Sequence, residues 1–86
     1  MKLQNLKSPK TGKAVANQFL ITDFGGVGIS DVFISYETTI AMAVHSTRVI
    51  YLNKVNYSRT TTKYTKEFLS QYKNYRIVEV EEDYFD

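Results

Sequence analysis

The sequence predicts an α+β domain: a mainly antiparallel four- to five-stranded sheet with one helix packed on one face. Three observations carry this. Short runs rich in β-branched and aromatic residues, at 15–24, 32–36, 39–44 and 48–52, follow one another at hairpin spacing. Residues 60–72 switch to helical periodicity. Residues 75–80 then return to strand character and run into an acidic end at 79–86.

Composition bounds what such a fold can be. With 86 residues the chain is a single domain over 1–86, near the size at which one core is marginally sufficient and a partner helps. A hydrophobic content of 43%, with seven Tyr and five Phe, is enough to build that core and argues against disorder. The absence of Cys excludes disulfides, thiolate metal sites and cysteine nucleophiles, and so points to an intracellular protein. Residues 1–10 hold no signal-peptide core, and no segment approaches the roughly 20 apolar residues of a membrane helix, so a soluble protein is expected. Net charge is +2, but unevenly spread: Glu79, Glu81, Glu82, Asp83 and Asp86 stand near the C-terminus with no base among them. Such asymmetry marks either a solubilising end or an interaction tail.

Taken in order, residues 3–7 form a weak first strand, and Pro9 and Gly12 supply the turn into the strand at 15–24. There Phe19 and Ile21 face one side and Leu20 and Thr22 the other, as in a central strand. Gly25, Gly26 and Gly28 form a break. In the run 39–44, Ile40, Met42 and Val44 alternate with Ala41 and Ala43, whose small side chains leave room for close packing on that second face. A short link at 45–47 makes the next strand its antiparallel neighbour. Ser58 suits a helix N-cap, and Tyr64, Phe68, Leu69 and Tyr72 form one apolar stripe, with Lys63, Lys66 and Glu67 on the solvent side. Asn74 suits a left-handed residue past the helix. The predicted core is Phe19, Ile21, Val32, Ile34, Ile40, Met42, Val49, Tyr51, Tyr64, Phe68, Leu69 and Val78.

No catalytic chemistry is legible, and no enzyme, cofactor or metal is expected. Gly12-Lys13 resembles the end of a phosphate loop, but Ala14 stands where Ser or Thr is needed and no Gly opens the cradle. The glycines at 25–28 lack the following helix of a dinucleotide site. His45, the single histidine, would need Asp23, Asp31 or Glu37 to complete a metal site and is expected on an exposed turn. Two binding surfaces remain. Glu79, Glu81, Glu82, Asp83, Tyr84 and Asp86 can imitate phosphate spacing against a basic protein groove. Alternatively Arg48, Arg59, Lys63 and Lys66 form a basic face for nucleic acid, with Tyr36, Tyr51, Tyr57 and Tyr75 as candidate stacking platforms.

The stretches Asn17-Gln18-Phe19-Leu20-Ile21, Ser35-Tyr36-Glu37-Thr38-Thr39-Ile40-Ala41 and Tyr57-Ser58-Arg59-Thr60-Thr61-Thr62-Lys63-Tyr64, the last followed by Phe68-Leu69, resemble a family of small tailed-bacteriophage proteins. The likeness covers residues 1 to 70 and includes the turn Pro9-Lys10-Thr11-Gly12. It supplies no catalytic residues. What the resemblance implies is a phage accessory protein in the host cytoplasm that binds its target stoichiometrically and inhibits a host defence system, as anti-CRISPR proteins do. The implied partner is a host protein or nucleoprotein complex, a nuclease among the candidates. Nucleic-acid binding is the alternative function, and a homodimer is compatible with either.

Overall fold

The computed structural model describes residues 1–8, 10–54 and 58–85. Five strands form an antiparallel meander: β1 (Lys2–Lys7), β2 (Ala14–Thr22), β3 (Ser30–Ser35), β4 (Thr38–Val44) and β5 (Val49–Asn53). Helix α1 (Arg59–Ser70) then crosses the sheet, and β6 (Arg76–Val80) adds parallel to β5. The sheet is therefore six-stranded and mixed, in the order β1-β2-β3-β4-β5-β6, rather than four- to five-stranded. A helical crossover is what a parallel neighbour requires, since a hairpin cannot return the chain in the same direction.

Local chemistry explains the joints. The turn from β1 to β2 closes through the Gly12 N–H on the Ser8 carbonyl, with Gly12 at φ +71°. Ser58 caps α1: its Oγ accepts from the Thr61 N–H at 3.2 Å, as its position in the sequence predicts. The helix ends earlier than its stripe suggested. Gln71 is right-handed and closes the last turn with its own N–H, and Asn74 is not among the positive-φ residues, so the expected left-handed cap is not used.

The core lies between α1 and one face of the sheet. Thr61, Tyr64, Thr65 and Phe68 of the helix are buried against Leu20, Phe33, Ile40, Ala41, Ala43 and Ile50. Phe68 stacks on Phe33 with ring centroids 5.9 Å apart. In the sheet, Leu20 pairs with Phe33, Phe33 with Ala41, and Ala41 with Leu52, so these residues form one transverse row beneath the helix. A register shift between β3 and β4 leaves Ile40 opposite no partner, and Ile40 joins Ala41 in the core.

This corrects the predicted core. Phe19, Ile21, Ile34, Met42, Val49, Tyr51 and Val78 are only partly buried on the other face of the sheet, where Val32 alone of the predicted set is buried. Size misled the alternation: Met42 and Val44 of β4 point away from α1, and Ala41 and Ala43, with Ile40 at the register shift, form the floor on which the helix rests. Of the predicted set, Val32, Ile40, Tyr64 and Phe68 are buried, and Leu69 packs at the margin of the core.

Phe68 is 2% exposed and touches both the sheet and Tyr72. Phe68→Ala is expected to destabilise the domain by about 3–5 kcal/mol through lost transfer energy and the cavity left behind. Chemical denaturation of the parent and variant checks this, and a loss below about 1 kcal/mol would contradict the packing of α1.

Candidate functional site

The acidic end is not an extended tail. Glu79 and Glu81 are exposed, after which residues Glu82–Phe85 form a turn of 3-10 helix. Tyr84 stacks on Tyr51 of β5 at 5.3 Å, and Phe85 meets Tyr84 edge-on at 5.2 Å. Those stacked rings bring the chain end back over the sheet face opposite α1. Tyr84 keeps 54% of its surface exposed. Asp86 and the side chains of Glu82 and Asp83 lie outside the described residues.

The face that Tyr84 reaches is apolar across its whole width. Leu3, Ile21, Val32, Met42, Tyr51 and Val78 pair in sequence from β1 to β6 and form a continuous row. Among the described residues the one α-helix lies on the opposite face. Val32 at the centre of this row is buried, Ile21, Met42, Tyr51 and Val78 are partly buried, and Leu3 at the β1 edge is exposed, so the row offers an apolar surface at its margins that another protein could meet.

The four residues of the expected basic face are split between the two ends of α1. Arg59, Lys63 and Lys66 line one open groove of about 460 Å³ with Thr62, and the first helical turn holds no acid to neutralise them. Lys63 also lies over the Tyr64 ring at 5.4 Å. Arg48 instead lines a second hollow of about 440 Å³ with Gln71, Tyr72, Lys73, Asn74 and Tyr75, beyond the helix C-terminus. Of the candidate stacking platforms, Tyr36 is 57% exposed on the β3–β4 turn. Tyr51 is occupied by Tyr84, Tyr75 is hydrogen-bonded, and Tyr57 lies outside the described residues. Both Tyr36 and Glu37 adopt positive φ, 50° and 67°, which fits a tight hairpin turn but strains side chains other than Gly or Asn.

A polar network joins the end of the helix to the sheet, and the sequence pattern did not reveal it. His45 is not an exposed turn residue; its side chain is 25% exposed. Its Nδ1 lies 2.6 Å from the Tyr75 hydroxyl, and its Nε2 lies 3.4 Å from Asp31 Oδ2. The Tyr72 hydroxyl donates to that same Asp31 oxygen at 2.6 Å, while Asp31 Oδ1 accepts from the Asp23 N–H. Burial, and next the adjacent Asp31 carboxylate, push the Tyr72 phenol well above its ordinary value. Both ring nitrogens of His45 are engaged within this network, and the arrangement ties the segment that follows α1 to the sheet. No group of three or more metal-binding side chains occurs among the described residues. Among the described residues no helix is long and apolar enough to cross a membrane.

A family of unknown function, DUF8033, matches residues 1–86. The chain belongs to this family. No curated protein and no solved structure matches it. This member of DUF8033 thus carries an apolar sheet face with the chain end stacked on it, a basic groove on α1 and a polar latch at the end of the helix.

The latch has a defined pH signature. Tyr72 ionises near 10 in an unfolded chain and holds its proton beyond that when folded. Stability linked to this group is therefore fully present below pH 10 and declines as pH rises above it. Denaturation midpoints from about pH 9 to about pH 11 should fall less steeply for Tyr72→Phe than for the parent. Parallel slopes would place no such linkage at Tyr72.

Proposed function

We propose that this protein is a non-enzymatic accessory protein that acts by stoichiometric binding of a partner protein through the apolar sheet face and the acidic end at its rim. The observation that carries the reading is the row Ile21, Val32, Met42, Tyr51 and Val78, which crosses the sheet on the side opposite α1. A two-layer α+β domain places its helix on one face only, which leaves the margins of this face open to a partner protein. Tyr84 on Tyr51 supports it further, because the stacking holds Glu81 and the turn after it beside the face. Resemblance to small bacteriophage proteins makes the partner a host protein or nucleoprotein complex of a defence system, met in the host cytoplasm. The outcome of binding is inhibition, in the manner of anti-CRISPR proteins.

Capture from host lysate, with and without nuclease treatment, followed by affinity measurement on the captured partner, tests this reading. Replacing Glu81, Glu82 and Asp83 by Gln, Gln and Asn should weaken that affinity about tenfold at low salt, and moderate salt should narrow the difference. Equal affinities for parent and variant would remove the acidic end from the contact.

The groove on α1 favours a second reading, binding of nucleic acid. Arg59, Lys63 and Lys66 repeat at the spacing of successive helix turns, so one phosphate backbone could run along all three. Arg48 is excluded from this contact by its place at the other end of the helix. Fluorescence anisotropy of a labelled single strand should then rise with protein at low salt, and charge removal at all three positions should abolish the rise. No change at low salt would discard the nucleic-acid reading; loss of every captured protein after nuclease would discard direct protein binding.

A further inference from the structure

The two edges of the sheet are built differently. At β1 the edge carries Lys2 and Lys7, and its pairing with β2 is interrupted by a register shift between Asn5 and Lys7. Lysines and bulges are devices that keep an edge from pairing with another chain. At the opposite edge, β6 pairs with β5 in unbroken register from Arg76 to Val80, and it contains no Lys, no Pro and no bulge.

The hydrogen bonds of β6 show which groups face outward. Arg76 donates its N–H to the Arg48 carbonyl, and the Val80 carbonyl accepts from Lys54, so residues 76 and 80 turn their backbone groups toward β5. By the two-residue alternation of a strand, Ile77 and Glu79 direct theirs away from the sheet. Ile77 is also 48% exposed although it lies in the row of Ile50 on the helix side. Charge along this edge is polarised: Lys73 and Arg76 stand at its start, Glu79 and Glu81 at its end, and all four are exposed.

We propose that β6 is the self-association edge of this protein, pairing antiparallel with β6 of a second copy about a two-fold axis at Val78. In that register the N–H and C=O of Ile77 bond those of Glu79 in the other copy, and the reverse, so every outward backbone group of both residues is satisfied. A shift by two residues in either direction would pair one of them outside the strand. Antiparallel pairing also sets the basic start of each β6 beside the acidic end of the other, whereas parallel pairing would align like charges. The product is one continuous sheet in which the two apolar faces lie side by side and both helices lie on the opposite surface. The proposal rests on the edge and its charge order, and it stands or falls independently of the partner proposed above.

The test uses the full chain, with sedimentation velocity over a concentration series and amide hydrogen exchange at the same concentrations. The parent should sediment as a dimer at high micromolar concentration, with exchange at Ile77 and Glu79 slowing as the dimer forms. Ile77→Pro removes an outward donor that the β5 ladder does not use, and should raise the dissociation constant at least about tenfold. Ile77→Lys introduces an edge lysine and should do the same while retaining the parent's circular dichroism, which covers the case in which the proline variant fails to fold. A parent that remains monomeric at millimolar concentration would overturn the proposal. So would a dimer that Ile77→Lys leaves intact, or one in which Ile77 and Glu79 exchange at the monomer rate, since association would then use another surface.

Discussion

The seating of α1 on the sheet governs the rest of this molecule. Phe68 can stack on Phe33 because Ala41 and Ala43 lower the floor between β3 and β5, and larger residues there would lift the helix from the sheet. The close approach is secured at both ends. Near the helix start, the buried hydroxyls of Ser35 and Thr61 lie 2.9 Å apart, with Ser58 capping the same turn. Past the helix end, Tyr72, Asp31, His45 and Tyr75 join chain segments far apart in sequence. Apolar contact supplies the stabilisation, and these directional bonds fix which way the helix runs.

That direction decides the topology. A helix laid back across the sheet after β5 delivers the chain to the starting end of β5, so the next strand must run parallel to it. The same geometry turns Arg59, Lys63 and Lys66 outward, since Thr61, Tyr64, Thr65 and Phe68 occupy the inward positions one turn apart. It also commits the one α-helix of the described residues to one face. The opposite face and the β6 edge are then left for other contacts, so the candidate binding surfaces are consequences of packing rather than additions to it.

Much of this was legible in the sequence, and the misses have identifiable causes. Ser58 announced the helix start through its capping chemistry, and the strand runs at 32–36 and 39–44 were located to within two residues because β-branched content is a local signal. Which sheet face α1 would take was not local. Alternation in β4 gives two faces, and bulk favours Ile40, Met42 and Val44, but a helix crossing a sheet selects the shallower face, made here by alanines. The register shift that brings Ile40 to that face as well depends on pairing with β3 and leaves no mark in β4 alone. His45 was misread for a related reason: its partners Asp31 and Tyr75 lie 14 residues before and 30 residues after it, distances over which spacing rules carry no information.

The acidic end shows how a charge run acquires meaning only from its anchoring. Five carboxylates in the last eight residues could have been a solvated extension, in which case their positions would be averaged and each would contribute little. Tyr84 changes that situation, because a tyrosine ring stacked on Tyr51 fixes the path of the chain directly after Glu81. Exposed charges at a protein rim act mainly on the encounter with other molecules and are screened within roughly 8–10 Å at moderate salt. The aromatic pair therefore couples two parts of the sequence that look unrelated, the β5 strand and the chain end. It sets the chain end over the sheet face that α1 leaves uncovered, where Val32 is buried and Ile21, Met42 and Val78 are partly buried.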